Sequence, residues 1–253
     1  MSLDEAIATS VRKGDSPPTL RLYGWDKPSL SLGHFQKASD INTEYCGENG
    51  IPVVRRPTGG RAILHDKELT YSFSAKTDEG PFSGSLLDSY GKISRAFSLA
   101  FLKAGIQADT RAKRERGKVL AGSPLCFRSS SFGEILIDNR KVVGSAQKRW
   151  RDGLLQQGSI PYRYNEERLR GVFGAEKVAE LRTYMIALEE VLPGLEEDGF
   201  REKIREAFEE TFGIRFLSSP PSPLESLLAL ELQEGKYLQQ EWNLLRRVPP
   251  VFR

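Results

Sequence analysis

The stretch Val53-Val54-Arg55-Arg56-Pro57-Thr58-Gly59-Gly60-Arg61-Ala62-Ile63-Leu64-His65-Asp66 constrains this chain more than any other. It opens as a short β-branched strand, breaks at Pro57 and two consecutive glycines, and resumes as an apolar run. Glycine alone tolerates positive φ cheaply, so Gly59-Gly60 lets the backbone turn sharply and approach a ligand closely. Arginines at 55, 56 and 61 bracket the turn, and each guanidinium offers a fork of donors for carbonyl, carboxylate or phosphate oxygens. A Gly-Gly turn by itself is common and is compatible with a plain hairpin carrying solvated arginines. The whole string is more specific than that.

Composition narrows the class. The chain has 253 residues, 39% of them hydrophobic and 28% charged, which suits one large domain or one domain with a small appendage. No run approaches the roughly 20 apolar residues that span a bilayer. The start, Met1-Ser2-Leu3-Asp4-Glu5, carries acids and no apolar core of a signal peptide. A cytoplasmic protein is expected, with no membrane partner. A net charge of +3 is too small to imply nucleic acid. Residues 111–118 hold five bases against one acid, and Lys148, Arg149 and Arg151 form a second basic group around Trp150. Such groups can steer an acidic protein, although exposed charge runs are commonly plain solvated surface. The cysteines, Cys46 and Cys126, are far apart, form no CxxC pair and are accompanied by two histidines. No metal site and no disulfide are expected.

The periodicity predicts a helix over 3–14, strands at 19–23 and 29–33, and a helix over 41–49 capped by Asp40. Cys46 falls on that helix, where it reads as a small buried apolar residue. A strand at 52–55 leads into the Gly-Gly loop. Leu69 to Ser74 alternates as a strand, and Leu86 to Ala104 has the spacing of a long half-buried helix. Residues 132–137 and 141–147 form a hairpin across Asp138-Asn139-Arg140, followed by a strand from Gly153 to Ile160. Beyond Asn165 the pattern is helical, with a charged amphipathic helix near 197–212, a Ser/Pro linker at 218–223 and a final helix from about 224 to 235. Hairpins with helices that do not alternate one by one predict an α+β fold, a mixed or antiparallel sheet with packed helices. The expected division is a catalytic domain over 1–217 and a helical extension over 218–253 packed on the same domain.

Three features can carry chemistry. Cys126 lies in a Ser/Pro/Gly-rich loop beside Arg128; such a cysteine can act as a thiolate nucleophile, although single cysteines in loops are usually inert. Lys141 opens a strand after a tight turn, where a lysine is usually solvated but can stabilise a developing oxyanion. Gly144, Ser145 and Ala146 are small residues in a strand, which implies close packing against that backbone. His65-Asp66 is a conceivable acid–base pair; a histidine that orders neighbouring backbone is the preferred reading, and His65 is not assigned as a base.

Taken together, Arg55 to Asp66 resembles the RRxxGGxAxxHD ligand loop of the lipoate-protein ligase, octanoyltransferase and biotin ligase superfamily. Arg140-Lys141-Val142-Val143-Gly144-Ser145-Ala146-Gln147 resembles its second signature, and Gly153-Leu154-Leu155-Gln156-Gln157-Gly158-Ser159-Ile160 the strand that follows. Tyr237 to Asn243 resembles the family's closing segment. The resemblance implies a biotin/lipoate ligase-like catalytic domain. It implies that Lys141 contacts the acyl carbonyl, and that Arg56, Thr58, Gly59, Gly60, Arg61, His65, Gly144, Ser145, Ala146 and Gly158 bind substrate. The loop and the Gly144-Ser145 strand would frame an apolar tunnel. Cys126, fifteen positions before Lys141, matches the nucleophile of the cysteine-dependent octanoyltransferases of Gram-positive bacteria, and Arg61 leans the same way. Those enzymes pass an octanoyl group from octanoyl-acyl carrier protein, through a cysteine thioester, to a lysine of a lipoyl domain or of the glycine-cleavage H protein, without a cofactor. An ATP-dependent lipoate ligase and a non-catalytic binder of lipoyl domains are the alternatives. No GRGRxG-type loop is present, which disfavours a biotin ligase.

Overall fold

The computed structural model describes residues 1–110 and 133–247. Cys126 and the basic segment 111–118 lie outside the described residues.

Helix α1 (Ser2–Lys13) ends where Gly14 turns into the left-handed region at φ 85° and donates its N–H back to Val11. Strands β1 (Thr19–Tyr23) and β2 (Ser29–Leu32) follow as predicted by alternation, but they belong to different sheets. A 3₁₀ turn at Ala38–Asp40 precedes helix α2 (Thr43–Glu48). The cap of α2 is therefore Asn42, not Asp40: the Asn42 side chain accepts from the Tyr45 N–H, and Asp40 is spent on the preceding turn. Cys46 is buried on α2, as expected for a small apolar residue, and burial pushes its thiol pKa up.

Strands β3 (Val53–Arg55) and β4 (Ile63–His65) do not pair with each other. Both flank β2, β3 parallel and β4 antiparallel, so the Gly-Gly segment bridges over β2 and is no hairpin turn. The larger sheet adds β5 (Glu68–Lys76), β6 (Asp109–Thr110), β7 (Ile135–Ile137), β8 (Arg140–Arg149) and β9 (Gly153–Pro161) in the order β1-β5-β9-β8-β7-β6, antiparallel throughout. The β7–β8 turn places Asp138 and Asn139 at φ 49° and 59°. Two successive positive values match the twist of paired strands, and the Asx side chain tolerates them.

The main core lies between this sheet and two helices, α3 (Leu86–Lys103) and α7 (Glu197–Phe212). Leu69, Tyr71, Phe73 and Ala75 of β5 meet Ile93, Phe97, Phe101, Phe200, Ile204 and Phe208 there. A second core under β2 is closed by helices α4 (Glu166–Phe173) and α5 (Ala175–Leu181). After α6 (Leu188–Val191) and α7, the chain returns through α8 (Pro223–Leu232), a π-helical turn at Gln233–Tyr237 and α9 (Gln240–Asn243). Helix α8 packs on α1 and α9 on β3, with Ala6, Leu232, Tyr237 and Trp242 as a third cluster. The fold is the predicted α+β arrangement. Among the described residues no helix is long and apolar enough to cross a membrane.

Candidate active site

The two arginines that open the loop are buried, unlike the solvated guanidiniums of a plain hairpin. Arg55 donates to the carbonyls of Gly33, His34, Gln36, Trp242 and Asn243. Trp242 Nε1 returns a bond to the Arg55 carbonyl, and Arg55 N–H donates to Asn243 Oδ1. Arg56 turns inward on its own loop: Nε and Nη2 reach the Gly59 carbonyl at 3.1 and 2.8 Å, and Nη2 reaches the Arg61 carbonyl at 2.7 Å. A planar fork that grips two carbonyls of one turn fixes that turn's shape. Gly60 takes φ 86°. A Cβ on Gly33 would sit 2.0 Å from the Gly60 carbonyl oxygen, so only glycine at 33 lets the loop lie across β2.

Behind the loop is a buried polar layer. His65 Nδ1 lies 2.6 Å from Glu68 Oε1, and its Nε2 lies 2.7 Å from Ser31 Oγ. The Arg56 Nη1 donates to that same Ser31 Oγ at 3.0 Å. Trp25 stacks on the imidazole, centroids 4.3 Å apart, and donates from Nε1 to Thr70 Oγ1. Glu68 also accepts from Ser159 at 2.5 Å and from Thr70. Burial would push the Glu68 carboxyl up, but His65 and these hydroxyls together hold it below its ordinary value. The acid partner of His65 is thus Glu68; Asp66 instead binds Arg168 of α4 at 2.6 Å.

A second chain of bonds reaches Thr58, which donates to Gln157 Oε1 at 3.0 Å, while Gln157 Nε2 donates to Asp4 Oδ2 at 2.7 Å. Asp4 is fully buried and also accepts from Arg21, Tyr23 and Ser72. Burial works against its charge, and the chain's amino terminus, Arg21 and the Tyr23 hydroxyl outweigh burial and lower its pKa.

Between the loop and strand β8 lies a narrow cleft lined by Arg56, His65, Gly144, Ser145, Ala146 and Gly158, with Ser31, Thr70 and Gln157 at its back. Its open interior is about 10 Å³, room for roughly one water. Tyr71 closes one side. Its hydroxyl lies 2.7 Å from Ser145 Oγ and accepts from Gln156, and burial pushes its pKa up to about 12. A Cβ on Gly158 would come 2.1 Å from the Tyr71 ring, so this glycine answers to a tyrosine packed over it. Lys141 stands four residues before Ser145 on β8. Its Nζ pairs with Glu134 Oε1 at 2.7 Å, both side chains being buried. The Lys141 backbone is fixed by bonds to Tyr184 and Ile186.

Of the predicted site residues, Arg56, His65, Gly144, Ser145, Ala146 and Gly158 line this cleft, whereas Thr58, Gly59, Gly60, Arg61 and Lys141 are not among its lining residues. Ser31, Glu68, Gln157 and Asp4 were not anticipated. The second basic group divides: Arg149 is consumed by the carbonyls of Phe82 and Gly84, while Lys148 lies over the Trp150 ring with Arg12. Among the described residues no cluster of histidine, cysteine, aspartate and glutamate could hold a metal ion.

The sequence model of the lipoyl protein ligase A/B catalytic domain matches residues 1–209. The chain belongs to that family. Curated relatives named Octanoyltransferase LipM are 36% identical in Kyrpidia tusciae and 35% in Carboxydothermus hydrogenoformans. Each match covers 96% of this chain, and 93% and 92% of the relative respectively. Among solved structures, a lipoate-protein ligase A bound with ATP superposes with a TM-score of 0.80 at 25% identity, over 96% of this chain and 92% of its own. A putative lipoate protein ligase from T. acidophilum with bound lipoic acid gives 0.79 at 24% identity over 96% and 91%, which establishes the shared fold. In this chain Arg56, Ile63 and His65 of the loop and Gly144, Ser145 and Ala146 of β8 line the same cleft.

Proposed function

We propose that this protein is an octanoyltransferase of lipoate biosynthesis that works through Cys126. The observation that carries the reading is the 36% identity, over 96% of the chain, to a relative named as an octanoyltransferase. The likeness to ATP-bound lipoate ligase is weaker in sequence, at 25%. The Cys126 thiolate attacks the carbonyl carbon of the octanoyl thioester on acyl carrier protein. The tetrahedral intermediate expels the carrier's thiolate, which takes up a proton, and an octanoyl-enzyme thioester remains. The lysine amine of a lipoyl domain or H protein then attacks, loses its proton and releases Cys126 as the thiolate. Lys141 donates to the carbonyl oxygen as negative charge develops, exchanging its bond to Glu134 for one to the substrate. The Gly59-Gly60 loop and Gly144-Ala146 grip the acyl chain, and each buried CH₂ contributes about 0.8 kcal/mol. The narrow cleft widens by displacement of side chains as the chain enters. Residues 1–217 form the catalytic domain, and the extension 218–253 serves it by holding Arg55. The protein works in the cytoplasm, and residues 111–118 together with Lys148 and Arg151 draw in the acidic carrier.

Mass spectrometry after mixing with octanoyl-acyl carrier protein tests this. An octanoyl adduct is expected on Cys126, absent in Cys126→Ala and retained in Cys46→Ala. An adenylate formed from ATP and lipoate, with no cysteine adduct, would replace transfer by ligation.

A further inference from the structure

The geometry points to Glu68, His65 and Ser31 as positioning residues that set the ligand loop through Arg56. Glu68 and Ser31 were not anticipated from the sequence, and they are far from Arg56 in the chain. The four side chains form one directed series. Glu68, kept ionised, can only accept, so the proton of its 2.6 Å contact sits on His65 Nδ1. With the ring in its Nδ1–H tautomer Nε2 is an acceptor, and the Ser31 hydroxyl 2.7 Å away donates to it. That leaves a lone pair of Ser31 Oγ facing the Arg56 Nη1 donor at 3.0 Å. Arg56 in turn grips the carbonyls of Gly59 and Arg61. Each donor meets one acceptor with no conflict, and every member is buried. A satisfied buried network of this kind specifies one arrangement of the groups at its end.

The arrangement superficially matches a serine, histidine and acid set for nucleophilic catalysis. Three facts favour positioning. Ser31 is fully buried, its oxygen already accepts from a cation, and Trp25 covers the ring of His65. A parallel arm, Asp4 to Gln157 to Thr58, ends on the other side of Pro57 in the same loop. The loop is thus tied at Arg56 and at Thr58 to two carboxylates on two different elements, β5 and α1.

Two measurements on the full-length protein test this. The chain has two histidines, so a spectrum of ¹⁵N-labelled histidine holds two ring systems to assign. His65 is expected as the Nδ1–H tautomer, and Ser31→Ala is expected to shift its Nε2 resonance. The same variant is expected to lower the thermal midpoint, because His65 Nε2 loses its donor, and to broaden or multiply the amide resonances of Gly59 and Gly60 at temperatures where it is folded. Ser31→Ala removes one oxygen without changing backbone or volume much, which makes it the working variant where Glu68→Gln fails to fold. The consequence for turnover rests on the octanoyl-transfer reading. There kcat/KM for the octanoyl donor should fall about 10- to 100-fold, the scale of a small misplacement of reacting groups. The rate of Cys126 with iodoacetamide, a small reagent that ignores the acyl site, should stay at the wild-type level. An Nε2–H tautomer for His65, or unaltered Gly59 and Gly60 resonances in Ser31→Ala, overturns the inference whatever the enzyme's substrate proves to be. A covalent octanoyl ester on Ser31 would also overturn it, by making the serine a nucleophile. Wild-type protein that transfers no octanoyl group would sink the functional reading alone.

Discussion

The two faces of β5 differ in chemistry though both are buried. Leu69, Tyr71, Phe73 and Ala75 point into an aromatic-rich core against α3 and α7. Glu68, Thr70, Ser72 and Ser74 point the other way, toward α1 and the small sheet, and are equally shielded from water. The apolar face gains its stability from area and tolerates small rearrangements. The polar face gains little net stability from each bond, but every bond has a direction and an obligatory partner. One face makes the molecule fold; the other decides where the Gly-Gly loop sits. Tyr71 joins them, with its ring among Phe97 and the core and its hydroxyl on Ser145 at the cleft.

The largest effect is expected on the apolar face. Phe208→Ala removes a ring packed on Phe73, Phe97 and Phe212 and should cost about 3–5 kcal/mol in chemical denaturation. At temperatures where the variant is folded, its kcat/KM should remain close to wild type. A large loss of activity in folded protein would mean the core also tunes the site. Lys141→Ala is expected to lower kcat by about 10²–10³, the usual effect of losing one oxyanion-type donor. It also strands the buried Glu134, so stability should fall as well. Lys141→Met with Glu134→Gln should recover the stability and none of the activity. Recovery of both would reduce Lys141 to a structural ion pair.

Thr58→Val is a smaller probe of the polar face. It leaves Gln157 Oε1 without its donor, at a cost of about 1–3 kcal/mol in denaturant titration. Its kcat/KM should drop by more than its stability loss predicts, which would be visible as a defect persisting well below the thermal midpoint. Equal stability loss with full activity would detach Thr58 from the site. The smallest effect near neutrality is that of pH. Glu68 and Asp4 have folded pKa values below their ordinary 4.5 and 3.8, so their ionised forms favour the folded state. That stabilisation is complete above the ordinary values and is lost as pH falls through and below them. Denaturation midpoints should hence be flat down to about pH 5 and decline beneath it. Glu68→Gln should flatten part of that decline; an unchanged acid limb would place the sensitive carboxylates elsewhere.

Much of the fold was readable from local pattern. Alternation in Leu69–Ser74, helical spacing in Leu86–Lys103 and the Asp138-Asn139 turn each depend on neighbours in sequence, and the observed β5, α3 and hairpin lie within a few residues of expectation. The loop motif and the Lys141–Gln147 strand were legible as a family signature. What could not be read was which groups the arginines would bind. A donor fork looks the same whether it faces ligand or backbone, and the carbonyls that hold Arg55 belong to residues 33–36 and 242–243. The Ser31, Arg56, His65 and Glu68 set was invisible for the same reason, since β2 pairs with both β3 and β4 only after folding. The alternation of β5 did hold a clue: a glutamate on its otherwise Thr/Ser face is costly to bury unless partnered. Asp40 was misplaced as a cap because Asn42, two residues on, competes for the same task.

The clamp around Arg55 has a consequence for synthesis. The ribosome delivers Arg55 long before Trp242 and Asn243, and until they emerge the guanidinium lacks two of the five carbonyls that surround it in the finished protein. The nascent chain can assemble its sheets early, but the loop at the cleft acquires its last anchors only once residues 242–243 have been made and docked. A protein built this way holds the loop that leads from Arg55 incompletely anchored until the segment carrying Trp242 and Asn243 has docked.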